Sequence, residues 1–219
     1  YEAYKTHVVR PFFREHFARL DRQIVLIDAL QAINRGAEAV HDLERALGDV
    51  LDCFRAGSNS FLSSFVTRRI DRIVIAATKA DHLHHESHPR LEAITRRLVE
   101  RAIERIGIEV MALASVRATR EATVKHDGED LPVIVGVPMA GETINGEAFD
   151  GERKTAIFPG DLPMNPDSLF QALESSPEGV PPHLLNFVRF RPPHIEETGG
   201  GLKLSVPHIR LDRALQYLI

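Results

Sequence analysis

The tetrapeptide Thr78-Lys79-Ala80-Asp81 puts a hydroxyl, an ammonium and a carboxylate within four positions, directly after the apolar run Ile73 to Ala77. A carboxylate at the mouth of a buried strand can accept two hydrogen bonds at once. Guanine offers such a pair from its N1–H and exocyclic N2–H₂, whereas adenine offers an acceptor at N1. Lys79 would lay its aliphatic stem over the flat face of the base and keep its ammonium wet or paired. Thr78 would tie the loop together through its hydroxyl. A site of this kind rejects the wrong base strongly, because the mismatch leaves a buried polar group unpaired.

Two more apolar runs end in polar residues. Gln23 to Ile27 ends at Asp28, and Ile108 to Ala114 leads into Ser115-Val116-Arg117-Ala118-Thr119. An acidic residue at the end of a buried strand is how P-loop NTPases hold Mg²⁺; capping the next turn is the ordinary alternative. Gln31, three residues on, reads either as a polar residue of a helix-entry loop or as a side-chain amide that orients an attacking water. His82, His84, His85 and His88 crowd the same region. His84 and His88 would share a helix face at i and i+4, a spacing that can serve a metal. Glu86 falls outside the His-Glu-x-x-His register, so the cluster reads as solvent-facing histidines beside the loop. Arg68, Arg69 and Arg72 read as a solvated basic linker, with a phosphate or an anionic partner as the minority reading.

The elements that must position these residues follow from periodicity. After the first run, Val40, Leu43, Leu47, Val50, Leu51 and Phe54 recur at three- and four-residue steps, one stripe of an amphipathic helix. After the second, Leu91, Ile94, Leu98, Ala102 and Ile103 do the same, leaving Arg96, Arg97, Arg101 and Arg105 to solvent. Near-continuous apolar runs alternating with helices predict a parallel sheet covered on both faces, since a parallel crossover needs a helix to return the chain. Ligands of such sheets sit at the carboxyl ends of the strands, where Asp28, Thr78 to Asp81 and Ser115 lie.

The second half changes character. Val133 to Val137 and Thr155 to Phe158 are short β-like runs among turn signals at Gly141-Glu142, Asn145-Gly146 and Asp150-Gly151, which predict a small antiparallel insertion. Asp167 to Leu173 reads as a short capped helix, "LNFVRFRPP" as a strand, "ETGGGLKL" as a turn and "IRLDRALQYLI" as a closing helix. The expected class is α/β, a mostly parallel sheet flanked by helices. Residues 1–127 form part of the core, 128–163 a β-rich insertion, and 164–219 a strand and helices that complete the core.

Across 219 residues, 27 Lys and Arg stand against 31 Asp and Glu, for a net charge of −4. That balance excludes the basic excess of a nucleic-acid binder. The single cysteine, Cys53, permits no internal disulfide and reads as a small core hydrophobe. No apolar run approaches the ~20 residues of a membrane span, and no signal-peptide pattern opens the chain, so the expected compartment is the cytoplasm. The chain opens at Tyr1 without an initiator Met and reads as a fragment of something longer.

Thr78-Lys79-Ala80-Asp81 resembles the [Asn/Thr]-Lys-x-Asp base-recognition motif of GTPases. "ASVRAT" resembles the Ser-Ala-type loop in which a backbone N–H near Ser115 touches the guanine carbonyl. The words "RQIVLIDALQAINRG", "ATKADHL", "SVRAT", "FPGDLP", "LNFVRFRPP" and "PHIRLDRALQYLI" together resemble the YcjX-like family of bacterial P-loop NTPases, over nearly the whole chain. The resemblance implies a P-loop NTPase core with an added subdomain in a cytosolic, stress-associated protein. It implies GTP or GDP as ligand and Mg²⁺ supported by Asp28. ATP is the alternative, because Thr78 stands where Asn is commoner. A reading of another class is an interaction module that docks a protein partner, its identity unknown, through the β-rich region, with nucleotide as a switch at most.

Two departures matter. No Gly-x-x-x-x-Gly-Lys-[Ser/Thr] occurs, and Gly199-Gly200-Gly201 is followed by Leu202-Lys203 instead. Asp28-Ala29-Leu30-Gln31 occupies the place of the GTPase Asp-x-x-Gly, whose Gly backbone N–H meets the γ-phosphate. The family's P-loop segment is therefore expected to lie outside these residues. We expect the 219 residues to show no nucleotide hydrolysis by themselves; measurable phosphate release from the isolated chain would overturn this.

Overall fold

The computed structural model describes residues 2–9, 11–12, 21–52, 72–103, 108–170, 185–193, 197–198, 201–202 and 206–219. Cys53, Arg68 and Arg69 lie outside them. The three apolar runs of the first half form β1 (Arg22–Ile27), β2 (Arg72–Ala77) and β3 (Ile108–Ala112), a parallel sheet in the order β1-β2-β3. Their register aligns Ile27 with Ala77 and Ala77 with Ala112, so the three strands end level. Helices α1 (Ala29–Arg35) and α2 (Ala37–Asp52) return the chain from β1, and α3 (His88–Ile103) returns it from β2.

Because successive side chains of a strand point to opposite faces, the sheet feeds two cores. Ile73, Ile75, Ala77, Val110 and Ala112 pack with Leu30, Ile33, Val40, Leu47, Leu91, Ile94 and Leu98 of the three helices. The other face, Val74, Ala76, Met111 and Leu113, packs on Ala214 of α4 (Leu211–Leu218). Two arginines at the strand starts pin the end of this helix. Arg22 Nη1 donates to the carbonyls of Leu218 and Ile219 at 2.5 and 2.6 Å, and Arg72 Nη1 to that of Tyr217 at 2.7 Å. These are C-terminal carbonyls with no partner inside the helix. Arg72, expected in a solvated linker, is a helix cap.

Residues Ile73 to Ala77 are wholly buried, as a central parallel strand requires. β1 is different: Leu26 is 62 % exposed. Among the described residues β1 is the edge of its sheet, and the eight-residue α4 lies mainly over β2.

The antiparallel part contains β4 (Arg120–His126), β5 (Glu129–Gly136) and β8 (Thr155–Ile157), in the order β4-β5-β8. A separate small hairpin pairs β6 (Thr143–Ile144) with β7 (Glu147–Ala148). Asp127-Gly128 turns β4 into β5 with φ of +50° and +86°, and Asn145-Gly146 turns β6 into β7 with +51° and +84°. Positive φ at both central residues is the type I′ turn that matches strand twist. The "ETGGGLKL" turn is a two-residue ladder between β9 (Glu197–Thr198) and β10 (Gly201–Leu202).

The segment read as a strand in "LNFVRFRPP" is instead a strap. Leu185 and Phe190 make single bridges to Gly160 and Pro138, and its remaining bonds reach loops, such as Arg191 N to Val137 O at 2.8 Å. Pro138, Pro159, Pro192 and Pro193 carry no N–H, which interrupts any continuous ladder. The strap closes a third core of Ile134, Ile157, Val188 and Phe190. Gly136 is required there, since a Cβ would lie 2.6 Å from Phe190 Cδ1. We expect Gly136→Ala to lower unfolding stability by about 1–3 kcal/mol, as overpacking does, read by chemical denaturation; unchanged stability would show that the Phe190 ring shifts without cost.

Candidate functional site

Level strand ends put three loops on one rim. The first two ladders run past the strands: Thr78 donates both N and Oγ1 to Ile27 O, at 2.8 and 3.0 Å, and Leu113 N donates to Ala77 O at 2.8 Å. Thr78 thus fastens the second loop to the first strand. Lys79 then adopts φ +61°, the left-handed region, which is costly for a residue with a Cβ. The reversal lets Ala80 N reach Leu113 O at 3.2 Å and starts the 3₁₀ turn Ala80–His82. A single left-handed Lys held by ladder bonds on both sides is the kind of local strain that marks functional loops.

Asp81 emerges from this turn only 5 % exposed. Its Oδ2 accepts from Ala118 N at 2.9 Å, and its main-chain carbonyl accepts from Thr119 Oγ1. The second and third loops are therefore stitched through Asp81. A carboxylate has about four acceptor positions, and one bond to Ala118 leaves the others available. They face a cleft of about 490 Å³, whose polar wall is Thr78, Lys79, Asp81 and Ser115 and whose apolar wall includes Leu26, Val116 and Phe190. Ser115 is exposed on the rim. His82 stands edge-on to Phe190, with ring centroids 5.4 Å apart. Burial pushes its imidazole below the usual histidine range, with Asp81 opposing and Lys79 adding to the shift.

Asp28 reaches the same rim from the first strand. Its Oδ1 caps α1 by accepting from Gln31 N at 3.1 Å, and its Oδ2 lies 2.5 Å from Lys79 Nζ. With the Gln31 amide oriented to satisfy its neighbours, its nitrogen donates to Asp28 Oδ2 at 3.3 Å and its oxygen accepts from Arg35 Nη2 at 3.1 Å. Asp28, Gln31, Lys79 and Arg189 line a second, smaller cavity of about 160 Å³, which shares Lys79 and His82 with the first.

Asp28 is the carboxylate that lines this smaller cavity, its Oδ2 engaged by the Lys79 ammonium and with Arg189 as a second cation beside it. Mg²⁺ in nucleotide sites takes one or two carboxylates, with waters and phosphates for the rest, so Asp28 is the residue here that would support it. In the larger cleft a buried acceptor, a lysine stem and an apolar wall stand together.

The histidines divide. His85 is exposed as expected, but His84 and His88 are buried. His88 Nε2 lies 2.8 Å from Ala80 O and ties the start of α3 to the second loop. The sequence reading missed this tie, as it missed Ala118 and Thr119, and only the polar Thr119 gave a signal.

Comparison with known proteins identifies the family. A profile of the YcjX-like family, DUF463, matches residues 1–219. A protein of Shewanella oneidensis named Ras-like GTPase YcjX is 31% identical over 225 residues, and one of the same name in Escherichia coli K12 is 32% identical over 222. The alignments take in 100% and 99% of this chain but 42% and 43% of those relatives, so the chain spans about two-fifths of their length. A match that runs from the first residue to the last, on a chain whose quoted words raised the same resemblance, decides the matter: the chain belongs to the YcjX-like family.

Proposed function

We propose that the full-length protein binds guanine nucleotide and hydrolyses GTP, and that this chain supplies the base-reading half of the site. The observation that carries the reading is the buried Asp81 carboxylate, fixed by Ala118 N and open to a cleft walled by Thr78, Lys79 and Ser115. Asp81 accepts the N1–H and N2–H₂ of guanine, the Lys79 stem covers one face of the ring, and a backbone N–H at Ser115 meets the guanine carbonyl. Adenine in the same place turns an acceptor toward an acceptor, so ATP is the poorer ligand. The names of the two relatives support a GTPase chemistry.

In this reading Asp28 is a positioning residue. Its ion pair with Lys79 is 28 % exposed on the acid side and 45 % on the base side, so its energy is small and its effect is on orientation. Gln31 steadies Asp28. The interaction-module reading draws no comparable support: within 128–163 the large apolar side chains expose Met139 alone among the described residues.

Two outcomes follow for the full-length protein. Asp81→Asn keeps an acceptor for Ala118 N but turns a donor toward guanine N2–H₂. We expect GDP affinity to fall by about 10²-fold or more and xanthosine diphosphate, which carries a carbonyl there, to gain relative to wild type. Competition binding that shows GDP and ADP unmoved by the substitution would reject the base assignment. A double-mutant cycle of Asp28→Ala and Lys79→Ala on GDP binding is expected to give a coupling of about 0.2–1 kcal/mol; strict additivity would remove Asp28 from the site.

A further inference from the structure

A second constellation lies just beyond the base loop, where the 3₁₀ turn His85–Ser87 meets β4. His84 is 9 % exposed at its side chain, yet its Nδ1 is buried without a hydrogen-bond partner among the described residues. The nearest acid, Glu86 Oε2, is 3.8 Å away, beyond hydrogen-bond reach. An orphaned buried polar atom costs about 1–3 kcal/mol and calls for an explanation.

The surroundings supply one. His85 stacks obliquely on His84, ring centroids 4.4 Å apart, and donor atoms of His84, His85 and Glu86 all lie within 4.8 Å of one another. Across the gap, Glu121 of β4 points its Oε2 to 2.6 Å from His85 Nδ1. Its Oε1 is held by Arg117 Nη2 at 2.9 Å, the outer-shell contact that orients a ligating carboxylate. A tetrahedron of bonds near 2.1 Å puts its ligand atoms about 3.4 Å apart: His84, His85 and Glu86 already converge, and Glu121 joins as the fourth when its 2.6 Å pair with His85 opens to admit the ion. Two imidazoles with two carboxylates suit a borderline cation such as Zn²⁺ over Mg²⁺ or Ca²⁺.

We propose that His84, His85, Glu86 and Glu121 bind one divalent transition-metal ion of the zinc class, through the buried His84 nitrogen that no group among the described residues satisfies. The ion takes the lone pair of His84 Nδ1 and replaces the proton shared by His85 and Glu121. It clips the segment after Asp81 onto β4, next to the bond from Thr119 to the Asp81 carbonyl. The proposal is independent of the nucleotide reading, because its ligands take no part in base recognition.

The test is titration of chelator-stripped full-length protein with Zn²⁺ by calorimetry, and with Co²⁺ by visible absorption. We expect one equivalent bound, with the intense spectrum of four-coordinate Co²⁺. His85→Ala and Glu121→Gln each weaken binding at least 10-fold, whereas His126→Ala, at an exposed histidine elsewhere, leaves it unchanged. His85 and Glu86 are exposed, so His85→Ala and Glu86→Ala probe the site even where a His84 variant fails to fold. Binding that is absent, or present with the weak spectrum of six-coordinate Co²⁺, or equal in wild type and His85→Ala, would overturn the proposal.

Discussion

The level parallel register of β1, β2 and β3 is the constraint on which everything functional here rests. Parallel strands that end together deliver their following loops to one rim, and ladder bonds that run past the ends hold those loops in place. Thr78 on Ile27 O and Ala80 on Leu113 O are such bonds. Between them Lys79 has no freedom to relax out of the left-handed region, so the orientation of its side chain is decided by the sheet. The register is decided in turn by burial, since a slip of one residue on β2 would exchange Ile73, Ile75 and Ala77 with Val74 and Ala76 between two differently shaped cores.

The site has two kinds of glue. Lys79 and Asp28 join the first loop to the second by charge at the surface, where solvent keeps the contact weak and its role directional. Asp81 joins the second loop to the third by hydrogen bonds out of water, at both its carboxylate and its main chain. An anion held this way is fixed in orientation before anything meets it.

The parallel sheet, its helices and the residues of its rim were legible because apolar runs with helical stripes between them allow few other architectures. Helix α4 was legible as an element, though its place over the second sheet face was not, because Arg22 and Arg72 announce nothing about the carbonyls they find. Strand β4 escaped notice since Arg120–His126 is mostly polar and solvent-facing, with no apolar alternation; the Asp127-Gly128 pair was the available signal. The strap at 185–193 misled for the opposite reason, its apolar alternation reflecting burial of Val188 and Phe190 without a ladder. Asp28 was legible as an acid at a strand end, but its partner was not, because the ammonium that meets it comes from the neighbouring loop.

The pairing of α4 with the strand starts has a consequence for synthesis. Arg72 and its carbonyl partner on Tyr217 are 145 positions apart, and Arg22 and Ile219 are 197 apart. At roughly 5–20 residues per second a ribosome needs on the order of 10 s to pass from β2 to α4. Until α4 is made, Val74, Ala76 and, once synthesised, Met111 and Leu113 lack the helix that covers them in the folded chain.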